Sequence, residues 1–230
     1  MTMITVVLTS CNRPNELSQT LVSFFKYNTY PIESFIIIDD SGIPGCIDEA
    51  LKCIPDNINR TIIYNETNIG QIKSIDKAYS LVNTEYIFHC EDDWEFYEPG
   101  FIEISLEILK NNTNIFNVWL REYSNFAVVR NGHSVNPQIY NNQYRLMSVF
   151  QERTNIWNGF SFNPGLRRTS DCQKLMPYSQ YIGSVDCNVG GVEQALSVNY
   201  YRLGFVSAIT LKEKGYVKHI GWDNPTIRHY

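Results

Sequence analysis

Three adjacent carboxylates, Glu91, Asp92 and Asp93, end a mostly apolar run in the stretch EYIFHCEDDWEF. Vicinal acids repel one another, so a cluster beside Trp94 and Phe96 either stays solvated on a turn or meets a cation. Hard oxygen ligands in this arrangement suit a divalent ion that bridges a diphosphate, and such an ion also neutralises a leaving group. A second acidic pair ends another apolar run, SFIIIDDSG, where Asp39 and Asp40 precede Ser41 and Gly42. Asp-Asp-Ser-Gly is good turn chemistry by itself. Two acidic strand ends in one sheet nevertheless favour a shared site.

Other candidates lie further along the chain. Glu193, in GGVEQAL, follows a glycine pair that permits close backbone approach. Its carboxylate could take the proton of an attacking hydroxyl, or it could be an ordinary first-turn glutamate favoured by the helix dipole. His219 follows the β-like GYVK; neutral imidazole is a common metal ligand, and a lone histidine is also a common surface or core residue. His89, inside an apolar run, reads as structural. Arg167 and Arg168, after Asn-Pro-Gly, either reach a diphosphate or are solvated. Trp157, Phe160 and Phe162 either stack on sugar faces or pack in the core.

The elements that must position these residues alternate. TVVLTS, SFIIID, RTIIYN and EYIFHC read as strands, and ELSQTLVSFFKYN, IDEALKCI and QIKSIDKAYSLV as helices. Strands recur about every 25 to 30 residues, the rhythm of βαβ units and a parallel sheet. Such sheets carry functional residues at the carboxyl ends of their strands, which here are Thr9-Ser10, Asp39-Asp40, Asn65 to Gly70 and the acid cluster. The second half is less regular. PGFIEISLEILKNN and VEQALSVNYYRLG read as helices, IFNVWLREY and FVSAITL as strands, and residues 124 to 158 have weak periodicity. No internal repeat or clear linker interrupts the chain.

With 230 residues, 43% of them hydrophobic, the chain is long enough for a full core in one domain. A net charge of -5 without a basic run argues against general nucleic-acid binding, though not against a phosphorylated small ligand. The six cysteines show no CxxC spacing and read as reduced. No apolar run reaches the roughly 18 residues of a membrane span, and MTMITVVLTSCNRP reads as a first strand, so a cytoplasmic location is expected.

VVLTSCNRPNELSQTLVSFF, FIIIDDSG, NIGQIKSIDKAY and YIFHCEDDWEF, in that order, resemble the nucleotide-sugar half of a glycosyltransferase of the GT-A fold, family 2 type, over residues 4 to about 100. GVEQAL and YVKHIGW extend the resemblance toward the C-terminus. It implies an α/β, Rossmann-like, mostly parallel sheet flanked by helices in a single domain, residues 1–230. Residues 1–100 would form the nucleotide-sugar half and residues 101–230 the acceptor-side half. The implied activity moves a sugar, with inversion, from a nucleotide diphosphate donor, UDP-linked, to a hydroxyl of a glycan or other acceptor.

By the same resemblance, Thr9, Ser10 and Arg13 would line the nucleotide pocket, and Asp40 or Asp39 would hydrogen-bond the uracil or ribose. Asn68 and Gly70 would lie under the diphosphate, with Lys73 a helical turn further on. Asp92 would face the ribose or sugar, Asp93 and His219 would ligate Mn2+ or Mg2+, and Glu193 would be the base. The family's acidic motif usually reads Asp-X-Asp, whereas Glu91 holds its first position here. The order Asp-Asp-Ser-Gly also departs from the usual Asp-Asp-Gly-Ser. A sugar-nucleotide pyrophosphorylase would need a Gly-rich basic loop after the first strand, which TSCNRPNE lacks. A non-catalytic sugar or nucleotide binding module stays open, with Asp92, Asp93 and Glu193 speaking against it.

Overall fold

Every residue of β1 (Ile4–Ser10) is buried, as an apolar strand covered on both faces requires. The computed structural model that carries this strand describes residues 2–123, 139–140, 142–147, 150–152, 155–157, 159–184 and 191–221. Most of the weakly periodic stretch 124–158, Cys187, Gly190, Trp222 and the side chain of Trp157 lie outside the described residues. Parallel to β1 run β2 (Ser34–Asp39), β3 (Arg60–Tyr64) and β4 (Tyr86–Glu91), in the order β3-β2-β1-β4. Their connections are α1 (Pro14–Tyr27), α2 (Asp48–Leu51) and α3 (Gln71–Tyr79).

Helix α1 starts on Pro14, carries Glu16 in its first turn and Lys26 in its last, and buries Leu17, Leu21 and Phe24 on one face. Phe24 meets Phe35 and Phe96 edge-on at 5.3 and 5.2 Å, which locks α1 to the sheet. Helix α2 is a single turn, shorter than IDEALKCI suggests. Cys53 and Ile54 donate to the carbonyls of Ala50 and Leu51, three residues back, and Pro55 then stops the helix. Helix α3 likewise tightens after Tyr79 instead of running to Val82.

The second half supplies β5 (Trp94–Phe96), α4 (Phe101–Asn111), β6 (Ile115–Trp119), β7 (Ile139–Tyr140), β8 (Tyr144–Leu146), β9 (Phe150–Glu152) and β10 (Asn155–Trp157). It continues through β11 (Gly165–Arg168), α5 (Thr169–Cys172), α6 (Gly191–Arg202), β12 (Val206–Thr210) and β13 (Val217–His219). One nine-stranded sheet results, in the order β3-β2-β1-β4-β11-β6-β12-β8-β7, in which β11 and β8 run against the rest. Because β11 pairs directly with β4, both halves of the chain share that sheet. GLRR does not read as a central strand, since two arginines hide its character. Gly165 makes the pairing possible: a Cβ there would lie 2.9 Å from the Val118 carbonyl oxygen.

His89 is structural, as expected. The Tyr79 hydroxyl accepts from Arg167 Nη1 at 2.8 Å and shares a hydrogen bond with His89 Nδ1, 3.1 Å away. Burial, and then the Arg167 charge, hold His89 well below its ordinary range, so it stays neutral. The unfolded chain binds a proton there below about pH 6.5 and the folded chain does not, so stability falls as pH drops through that value. His89→Gln should flatten the decline of unfolding free energy between pH 6.5 and 5.5, by up to about 1.4 kcal/mol per pH unit. Equal slopes in the two proteins would show that His89 titrates while folded.

Candidate active site

The acid cluster is built into the end of β4 by α1. The Thr20 hydroxyl donates to the Asp92 carbonyl at 2.7 Å and accepts from Trp94 N at 3.1 Å, and Ser23 Oγ accepts from Phe96 N at 3.0 Å. These buried hydroxyls interrupt an apolar helix face, and their function is to replace the ladder partners that the chain loses as it leaves the sheet. Neither was singled out from the sequence. A polar residue inside an amphipathic helix was the available signal.

Asp92 is almost fully buried (1% exposed) and turned into the protein. It accepts from Ser10 Oγ at 2.9 Å, Cys11 N at 3.3 Å and Arg13 Nε at 3.1 Å, and pairs with Arg13 Nη2. The expectation that Asp92 faces the ribose is therefore corrected. It fastens the loop 10–13, including Ser10 and Arg13, against the strand end. Arg13 Nη1 reaches on to Asp93 Oδ2 at 2.9 Å, so one buried guanidinium spans both acids.

The charges are unbalanced. Burial, opposed by Arg13, pushes Asp92 up to about 6. Burial and then the charges of Asp93 and Glu193 push Glu91 up to about 8, although part of its side chain still reaches solvent. Glu91 accepts from Gln71 Nε2 at 2.6 Å and Trp94 Nε1 at 3.1 Å. At Asp93 burial acts upward, but the His219 hydrogen bond and Arg13 more than offset it and hold the carboxyl below its ordinary range. Of the three acids, Asp93 alone is held below its ordinary range.

His219 reaches Asp93 through a second, two-stranded sheet. Strand β13 runs antiparallel to β5 with His219 opposite Trp94, and Ile220 N donates to the Asp93 carbonyl at 2.8 Å. His219 Nε2 then lies 3.1 Å from Asp93 Oδ2. A carboxylate oxygen and an imidazole nitrogen are donor types that suit a divalent ion, and among the described residues no group of three such ligands comes together. Gly221 closes against the same carboxylate: a Cβ there would lie 2.8 Å from Asp93 Cβ and 2.9 Å from its Cγ. Gly221→Ala should therefore weaken Mn2+ affinity more than His219→Ala, where water can replace one neutral ligand. Calorimetric titration of both variants with Mn2+ checks the order, and the reverse order would remove the acid from the ion's shell.

The second acidic pair organises two loops. Asp39 accepts from Asn12 N at 3.0 Å and Ser41 N at 3.0 Å, and Asn12 adopts the left-handed conformation (φ 53) that asparagine tolerates. Asp40 accepts from Asn65 Nδ2 at 2.7 Å, Ile69 N at 2.9 Å and Gly70 N at 2.8 Å. Gly70 (φ 89) opens α3, Asn68 is exposed with its amide 3.5 Å from Cys11 Sγ, and Lys73 is exposed on the first turns of α3. Thr9 is buried beside Ile38 and Glu91 in the sheet.

Glu193 stands in the first turn of α6, and its charge is felt at Glu91. Its Oε1 accepts from Phe162 N at 2.6 Å and Ser161 Oγ at 3.1 Å. Phe160 and Phe162 are core residues, with Phe160 stacked on Tyr200 at 5.4 Å. Both alternatives raised for Arg167 and Arg168 are corrected. Arg167 is completely buried behind the Ser161–Asn163 segment, and Arg168 donates to the carbonyls of Leu109, Asn112 and Ile115 around the end of α4.

An open α/β sheet with acids at the carboxyl ends of β2 and β4, and a histidine returned to the last acid, is the frame of the GT-A class. The profile of glycosyl transferase family 2 matches residues 5–172, and the chain belongs to that family. Among solved structures, S. aureus TarS 1-349 in complex with UDP is 14% identical, with a TM-score of 0.60 over 94% of this chain and 60% of that one. The same TarS region in complex with UDP-GlcNAc is 14% identical (TM-score 0.60) over 99% of this chain and 62% of that one. The mannosyltransferase PcManGT from Pyrobaculum calidifontis, in complex with GDP-Man and Mn2+, is 12% identical (TM-score 0.62) over 93% and 58%. At such identities the likeness carries the fold, and the chain spans about 60% of the length of the TarS 1-349 structures. No curated protein matches the sequence significantly. Among the described residues no helix is long and apolar enough to cross a membrane.

Proposed function

We propose that the protein is a metal-dependent, inverting glycosyltransferase that moves a sugar from a UDP-linked donor to a hydroxyl of a glycan or other acceptor. The observation that carries this reading is the 3.1 Å approach of Asp93 to His219 at the carboxyl end of β4. Asp93 and His219 would hold Mn2+ or Mg2+, which when bound neutralises the charge developing on the leaving diphosphate. Thr9, at the end of β1, and Ser10 and Arg13, in the loop that Asp92 fastens, line the nucleotide side. Asp39 and Asp40 shape the base and ribose pocket, and Asn68, Gly70 and Lys73 flank the diphosphate.

Glu193 accepts the proton of the acceptor hydroxyl as its oxygen attacks the anomeric carbon. The bond from that carbon to the diphosphate oxygen breaks on the opposite face, which inverts the configuration. A cytoplasmic setting goes with this reading, supported by the free thiols of the five described cysteines. Thermal unfolding with UDP, UDP-GlcNAc or GDP-mannose, with and without Mn2+, tests the proposal, since a ligand of the native state raises its apparent stability. UDP compounds should stabilise only with the ion. An equal shift in the presence of chelator would overturn the metal site, and a response confined to GDP-mannose would overturn the choice of nucleotide.

A further inference from the structure

We propose that Arg167 is a positioning residue for the general base, acting on Glu193 through the Ser161–Asn163 backbone; the inference rests on the reading of Glu193 given above. Arg167 is completely buried in β11. Its Nη1 donates to the Tyr79 hydroxyl at 2.8 Å, and its Nη2 donates to the Ser161 carbonyl and, at 3.4 Å, to the Asn163 carbonyl. Its guanidinium lies over the rings of Phe160 and Phe162, at 5.4 and 5.6 Å. None of these partners is a carboxylate. Among the described residues this buried cation has no carboxylate counter-ion, an arrangement that costs stability rather than adding to it. The arrangement instead serves geometry.

One of the two carbonyls gripped by Nη2, that of Ser161, belongs to the same peptide group as Phe162 N, which donates to Glu193 Oε1 at 2.6 Å. The second donor to that oxygen, Ser161 Oγ, is oriented from behind by Asn163 N at 3.1 Å. Arg167 thus holds the strip of backbone that sets the position of the carboxylate, with Tyr79 bracing its other side. Lysine could not do this. Its single ammonium has no planar fork to span two carbonyls and a hydroxyl.

The test uses Arg167→Met and Arg167→Lys, each alone and combined with Glu193→Gln, with transfer kcat, donor KM and denaturant unfolding measured on all. A shift of the base by about 1 Å costs on the order of 100-fold, so each single variant should lose about 10- to 100-fold in kcat. Donor KM should stay within about twofold and unfolding should stay cooperative. In the Glu193→Gln background neither substitution should lower kcat further, because residues that act through one another are not additive. Independent, multiplying losses, or an unchanged kcat in the single variants, would overturn the inference. So would loss of folding or of donor affinity together with kcat, which would assign Arg167 to the fold. Failure of the underlying reading is seen separately, as near-normal transfer by Glu193→Gln alone.

Discussion

Glu193→Gln should lower transfer by about 10²- to 10⁴-fold, the usual contribution of a general base, while donor affinity changes by less than about twofold. The amide keeps the size of the side chain, and its carbonyl oxygen can still accept from Phe162 N and Ser161 Oγ. What it cannot do is take up the acceptor's proton. A first-turn glutamate with only a structural role would behave oppositely, with slightly altered stability and ordinary turnover. Single-turnover transfer and donor titration on the same preparation separate the two. Near-normal turnover would place the base elsewhere.

Asp93→Asn should abolish the ion-dependent part of donor binding. At a donor concentration 100 times Kd the unsubstituted protein gains about 2.7 kcal/mol of apparent stability, and the variant should gain almost none. Without ligands the variant should still fold, because Arg13 keeps Asp92 as a partner through Nε and Nη2. Asparagine is isosteric, so any loss reflects charge more than shape. Thermal unfolding of both proteins with UDP, across Mn2+ concentrations, gives the comparison. Retention of the full Mn2+-dependent shift would exclude Asp93 as a ligand.

The parallel half of the sheet was legible because strands covered on both faces are continuous apolar runs, and their polar ends stand out against them. TVVLTS, SFIIID and EYIFHC each show this. What the end residues do was less legible. Asp92 and Asp40 look like ligand-facing acids, yet each is taken up by several donors from a single loop. That convergence depends on backbone N–H groups 29 to 81 positions away, from Cys11 for Asp92 and from Ile69 and Gly70 for Asp40, and no local pattern encodes it. The arginines of β11 misled for a related reason. Their polarity suggested solvent, whereas their terminal nitrogens meet carbonyls, the Tyr79 hydroxyl and the Asp171 carboxylate inside the protein. Thr20 and Ser23 show the same rule, buried polar groups whose partners lie in another element.

The two-stranded ribbon of β5 and β13 also has a consequence for how the protein is made. Asp93 emerges early from the ribosome, while the residues that pair beside it lie beyond β12, the last strand of the large sheet. The scaffold can therefore assemble before Asp93 and His219 meet, and the ribbon joins them by closing a loop of more than a hundred residues. A chain interrupted between Thr210 and Val217 would keep every strand of the large sheet and still lack the histidine that reaches Asp93. On the proposed reading, translation thus delivers the ion-holding pair in one late step.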